Sequence, residues 1–223
     1  MQKTLAFLHT SPVHIATFDA LVRDMAPGLN LHHHVDAGLL IAAQQSGVAD
    51  PHVIQRIQSA MQEAAASGAD MVVCTCSSIG GVAERMCGAS GLQTARIDRA
   101  MADRAVTQGP RVLLVAALET TLLPTAELLQ ESATALNQPL VISNLLVADA
   151  WAHFLQGNSD AYRLAIVHAV RQRVQDEAAE IDVIVLAQAS MAAAAPDLAE
   201  LGKEVLSSPR LGVAHVLSLL QVN

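Results

Sequence analysis

Short β-branched runs alternate with longer helical stretches along the whole chain, and that alternation restricts the fold more than any other feature. The runs at 4–8, 29–35, 70–74, 93–97, 111–116, 139–143, 182–187 and 204–206 read as strands. Several of them, TLAFL, MVVC, RVLLVA and DVIVLA, are almost continuously apolar, the pattern of parallel strands buried on both faces. Helices are predicted between them. Ser11 caps the first, with Pro12 at its first position; Asp36 opens a short one to Ser46; Asp50-Pro51 opens 52–67, where Ile54, Ile57 and Met61 keep helical spacing. Asp98 caps a helix through Met101 and Val106, and another starts at Leu122 with Pro124 in its first turn. Two flank Gly157-Asn158, the second over 160–179; one follows Met191, and the last starts at Ser208-Pro209. Strand and helix alternating in this way predict an α/β protein with parallel sheets. Apolar residues make up 52% of the 223 but aromatics only 2%, so the core must be built from Ala, Leu, Val and Ile.

The pattern begins again after Gln108-Gly109-Pro110, and the halves echo each other. A strand ends at His9-Thr10-Ser11 in one half, and Glu119-Thr120-Thr121 follows a strand in the other. Later in each half a strand leads to Cys76-Ser77-Ser78 or to Gln188-Ala189-Ser190. Two pseudo-symmetric lobes are expected, facing each other across a cleft lined with small hydroxyls.

The stretch ADMVVCTCSSIGGVAE, residues 69–84, carries the chemistry. A buried strand to Cys74 turns at Cys76, Ser77 and Ser78 into a helix from about Ile79. Ligands bind at the carboxyl ends of strands in open α/β sheets, and unpaired N–H groups at a helix start favour a carboxylate or phosphate. A thiol there can have a depressed pKa and supply a thiolate; the alternative is a buried structural cysteine. Cys74 and Cys76 lack the second Cys pair or paired histidines of a metal site, so no metal is expected. In the tract His32 to His34 only His32 and His34 share a strand face, and a surface or edge role is expected there. The GxxxxGK[ST] phosphate loop is missing from residues 77–81.

Net charge is −8, with 13 Lys plus Arg and no basic run, which argues against nucleic acid or an anionic membrane as partner. No 18-residue apolar stretch implies a membrane span, and MQKTLAFLHTSP lacks the long apolar region of a signal peptide. Three cysteines, an odd count, point to reduced thiols and a cytoplasmic location. The Ala-rich composition permits a homodimer.

VVCTCSSIGG resembles the first cysteine motif of the aspartate/glutamate/hydantoin racemase superfamily, which also holds maleate isomerases and arylmalonate decarboxylases. VIVLAQASMA resembles the second motif, and SSPRLGV the C-terminal segment of the hydantoin-racemase-like branch. The resemblance implies two flavodoxin-like lobes, 1–97 plus 208–223 and 98–207, with the last helix returning to the first lobe. It implies no cofactor and no metal, and a small carboxylate substrate whose α-carbon lies between two cysteines. Cys76 matches the first of these, and Ser77 and Ser78 match its carboxylate-binding pair. Thr120 matches a substrate-contacting threonine, and Ser190 lies one step beyond the usual polar neighbour. His9-Thr10-Ser11 stands where amino-acid racemases open with an aspartate, and Thr10 and Ser11 are expected to contact substrate. The second cysteine is replaced by Gln188, which cannot exchange a proton near neutral pH. Three readings stay open: a racemase or isomerase with His9 or a water as second group, a one-cysteine decarboxylase or other lyase, and a non-catalytic carboxylate binder.

Overall fold

The inner strands of each half are buried on both faces, and their hydrogen-bonding partners explain why. The computed structural model describes residues 3–88, 91–177 and 180–221. Among these, two parallel four-stranded sheets form. The first holds β1 (Thr4–His9), β2 (Asn30–Val35), β3 (Met71–Cys74) and β4 (Gln93–Arg96) in the order β2-β1-β3-β4. The second holds β5 (Arg111–Ala116), β6 (Val141–Leu146), β7 (Val183–Leu186) and β8 (Glu204–Ser207) in the order β6-β5-β7-β8. One winding is thus used twice, the order in which a flavodoxin-like sheet begins. Strands β1, β3, β5 and β7 lie inside their sheets and are the continuous apolar runs, whereas the edge strands β2 and β6 are only partly buried.

The chain divides into two units, 1–99 with 209–223 and 100–208. In the first unit the helices are α1 (Ile15–Met25), α2 (Ala37–Ser46), α3 (Pro51–Ala65) and α4 (Ser77–Glu84). Asp36 accepts from the Gly38 N–H at the start of α2, and Asp50 from His52 and Val53 at the start of α3, so two carboxylates occupy helix N-caps. Leu8, Leu39, Ile57, Met61, Val72, Cys74 and Ile79 pack into one core. On the sheet's other face Phe7 meets Phe18, ring centroids 5.0 Å apart. α5 (Arg99–Gln108) leads into the second unit, with α6 (Glu119–Ala135), α7 (Ala148–Leu155) and α8 (Ser159–Glu177). Leu113, Val115, Ile166, Val170, Ile184 and Leu186 make its core. Nearly all of α9 (Ser208–Leu219) belongs to the first unit. Gly212 is what lets it seat there: a Cβ at that position would lie 2.0 Å from the Ile97 carbonyl oxygen.

Three local expectations need correction. After Ser11 the chain makes a 3-10 turn, Pro12–His14, before α1, and the Ser11 hydroxyl forms no capping bond. α6 begins at Glu119 rather than Leu122, so Thr120 and Thr121 belong to its first turn and Pro124 falls one turn further in. The helix expected after Met191 is two 3-10 runs, Ala189–Ala194 and Pro196–Leu201. Pro196 has no N–H for an α-helical bond to Ala192, and Gly202 (φ 66°) closes the second run. The expected end of α8 at Ala179 lies outside the described residues.

Candidate active site

In the first unit the site grows out of register. Leu8 pairs with Cys74 across β1 and β3. One residue on, the His9 Nδ1 lies 2.8 Å from the Thr75 hydroxyl. One further, the Thr10 hydroxyl bonds the Cys76 sulfur. Two side-chain rungs therefore bridge the strand ends in succession. Cys76 stands at the N-cap of α4 with extended backbone (φ −99°, ψ 114°), which aims its sulfur at the first turn of the helix. The Ser78 and Ile79 N–H groups and the Ser78 hydroxyl lie close enough there to act on it, although the sulfur makes no helix-capping hydrogen bond. These donors favour the thiolate, but burial outweighs them and pushes the thiol pKa up. The depressed pKa that a helix start can give is thus not what this corner has. Cys76 keeps some exposure, whereas Cys74 is fully buried, donates to the Cys76 carbonyl at 3.6 Å, and has its pKa pushed up by burial.

Ser77 faces the other way. Its hydroxyl bonds the carboxylate of Asp98, which is 0% exposed. Asp98 is held in turn by Arg96, at 2.7 Å from Nε and 3.1 Å from a terminal nitrogen, and the same Arg96 nitrogen reaches the Ser77 carbonyl at 3.4 Å. Burial opposes both charges; each partner restores the other, so the Asp98 pKa is lowered and that of Arg96 raised. Gly80 makes room for this pair, since a Cβ there would lie 3.1 Å from the Arg96 Cβ. Asp98, the residue before α5, thus also ties a buried carboxylate to Arg96 and to the first residue of α4.

The second unit repeats the corner with different groups. Val115 pairs with Leu186, which brings Ala117 level with Gln188. Gln188 occupies the N-cap of the 3-10 run in the place of Cys76 (φ −111°, ψ 139°). Its Oε1 accepts from the Ala117 N–H at 2.6 Å and the Leu118 N–H at 3.3 Å. Ala117 and Leu118, not Thr120 and Thr121, are thus the counterparts of Thr10 and Ser11. Ser190 is paired with the Tyr162 hydroxyl at 2.8 Å, and burial pushes the Tyr162 pKa up to about 12. Thr120 carries a buried hydroxyl with no hydrogen-bond partner.

His9 is unsuited to be a second base. It is 0% exposed, both ring nitrogens are engaged, and burial with the neighbouring His33 and His14 brings its pKa down to about 3. Sequence reasoning missed three parts of this arrangement: His33, which lies 2.9 Å from His9 Nε2, the Arg96–Asp98 pair, and the backbone donors of Ala117 and Leu118. The first two had a signal, since Phe7 opposite His33 and the spacing Arg96-x-Asp98 each mark one strand face; backbone donors leave none. Among the described residues no group of three or more His, Cys, Asp or Glu side chains could hold a metal ion, and no helix is long and apolar enough to cross a membrane.

Solved racemase structures share this fold. An aspartate racemase from Picrophilus torridus superposes with a TM-score of 0.70 at 14% identity, over 99% of this chain and 95% of that one. A glutamate racemase from Bacillus anthracis gives 0.74 at 14%, over 98% and 82%. An allantoin racemase from Klebsiella pneumoniae gives 0.59 at 20%, over 99% and 88%. No curated protein sequence matches the chain. The fold is therefore that of the amino-acid and ureide racemases. The sequence model of the Asp/Glu/hydantoin racemase family matches residues 15–216, and the chain belongs to that family. Family and fold together support an enzyme of the racemase type.

Proposed function

We propose that the protein acts at the carbon α to the carboxylate of a small acid, with Cys76 as the proton carrier. The observation that carries this reading is the convergence of the Thr10 hydroxyl, the Ser78 hydroxyl and two backbone N–H groups on one sulfur. Those donors stabilise a thiolate once it forms, and burial keeps its proton affinity high enough to take a weakly acidic α-proton. In the proposed step the minor thiolate form of Cys76, its proton first lost to water, takes the α-proton: the substrate C–H bond breaks, an S–H bond forms, and the electron pair passes into the carboxylate as an enolate-like dianion. The S–H group then returns the proton. In the first unit the Ser11 hydroxyl, which makes no capping bond, is the proposed carboxylate donor; in the second the unpartnered Thr120 hydroxyl and the Gln188 amide are the proposed polar groups of that unit's own corner. Thr10 and Ser78 serve the sulfur, Ser77 serves Asp98, and Ser190 serves Tyr162.

Family membership favours racemisation or isomerisation. Gln188 favours a one-thiol variant of this chemistry, a decarboxylation in which CO₂ leaves and the Cys76 S–H protonates the resulting carbanion. Incubation in D₂O with small α-amino, α-hydroxy and malonate-type acids separates the two. Deuterium uptake with loss of optical activity supports the racemase; CO₂ release, or uptake with retention, supports the one-thiol reaction. Binding of a candidate acid with no exchange and no CO₂ overturns the catalytic reading.

A further inference from the structure

Beneath the Cys76 rung a buried row runs from the end of β1 to α1. The Thr75 hydroxyl is 3.2 Å from the Leu8 carbonyl oxygen and 2.8 Å from His9 Nδ1; His9 Nε2 is 2.9 Å from His33 Nδ1; His33 Nε2 is 3.8 Å from Asp19 Oδ1. With both imidazoles neutral, these four gaps share only three hydrogens, one on the hydroxyl and one on each ring. With the widest gap left dry, His33 Nε2, a buried atom with no hydrogen-bond partner within reach, carries the lone pair, and the Asp19 carboxylate acts on the ring from 3.8 Å. The other three gaps then have one solution. Thr75 donates to Leu8, His9 donates from Nδ1 to Thr75, and His33 donates from Nδ1 to His9 Nε2. The single N–H of His33 thereby decides which nitrogen of His9 carries its hydrogen. Without it, the buried Nε2 of His9 has no donor, and moving the ring proton there turns Thr75 away from Leu8.

We infer that His33, acting through His9 and Thr75, is a positioning residue for Cys76: it braces the rung directly below the one in which the Thr10 hydroxyl meets the sulfur. The brace is tied on its other sides as well. The His9 carbonyl accepts from the Asp36 N–H at 2.9 Å, the Thr75 N–H donates to Leu8 at 3.0 Å, and Phe7 and Phe18 lie against the His9 ring. The titratable groups around the row are His14, whose ring centroid is 6.4 Å from that of His9, then His32, and Asp19, which Arg23 pairs at 2.6 Å. This role matters to turnover only if Cys76 is the proton carrier proposed above, so the test reads the thiol itself.

The rate of Cys76 alkylation by iodoacetamide is followed against pH in a Cys87→Ala background, because Cys87 is exposed and would react as well. His33→Phe should slow alkylation at neutral pH about tenfold, the size of a one-unit rise in the thiol pKa. His33→Asn, whose amide nitrogen can stand in for Nδ1–H, should restore the wild-type profile. Thr75→Val breaks the row at its other end without altering an imidazole and should reproduce the His33→Phe shift. A wild-type profile in His33→Phe, or equal shifts in the Phe and Asn variants, overturns the inference. Loss of turnover in Cys76→Ala is a separate result; its absence sinks the catalytic reading and leaves the alkylation outcome standing.

Discussion

Cys76 and Gln188 occupy the same place in two copies of one corner, and they differ in what they can exchange. A thiol within reach of four donors can lose and regain a proton; a carboxamide cannot. Cys76→Ala should abolish α-proton exchange while leaving substrate affinity within a few-fold, which isothermal titration calorimetry beside NMR exchange would show. Thr10→Val removes one of the four donors and should move the pH midpoint of Cys76 alkylation upward by roughly one unit, in keeping with a hydrogen bond to a charged group of about 1.5–3 kcal/mol that is partly replaced by water. Gln188→Cys supplies a second titratable group on the N–H pair of Ala117 and Leu118. Loss of optical activity in a substrate that the wild type exchanges with retention is the expected gain, read by polarimetry. At this scale the sequence was informative wherever chemistry sits in a side chain. The alternation of strand and helix placed Cys76, Ser78 and Gln188 at the corners that follow β3 and β7. Ala117 and Leu118 could not be located in this way, because they contribute backbone N–H groups and any residue except proline has one. The hydroxyls of Thr120 and Thr121 stand close by in the sequence, but the start of α6 at Glu119 carries them into a helical turn.

Among the elements, α4 is the one whose placement the site depends on. It has only eight residues and begins at the Cys76 corner, so its first turn cannot be held by its own length. The buried Arg96–Asp98 pair does that, through the Ser77 hydroxyl and carbonyl. Breaking a buried pair from one side leaves the other charge without a partner. Arg96→Met or Asp98→Ala should each cost about 3–5 kcal/mol by urea denaturation, and the double variant less than the sum of the two. Gly80→Ala should be destabilising as well, since its Cβ would press on the Arg96 side chain. The strands themselves were plain in the sequence. A strand buried on both faces needs an unbroken apolar run, and β1, β3, β5 and β7 have one. The two 3-10 runs after Gln188 were not, because an Ala-rich stretch has helical propensity and what diverts it is the single Pro196.

For the whole molecule, the buried histidines set the acid limb of stability. His9 has its pKa lowered to about 3, and burial lowers those of His14 and His33 as well. A histidine held neutral in the fold takes up a proton on unfolding once the pH falls below its ordinary value of about 6.5. Stability therefore rises with pH through this window and falls as pH drops from about 6.5 toward 3, by at most about 1.4 kcal/mol per pH unit for each such histidine. Urea midpoints measured from pH 7 to pH 4 should decline, and His9→Gln should flatten the slope. A flat profile in the wild type would mean that these rings are protonated in the fold.

The return of α9 to the first unit, on the seat that Gly212 opens against Ile97, also fixes an order of events in synthesis. A nascent chain leaving the ribosome delivers four strands of the first sheet early and the helix that completes their unit only after the second unit has been made. Domains commonly fold as they emerge. Here the earlier unit must wait for its last helix while the later one is built, so the half that carries Cys76 is the last to be complete.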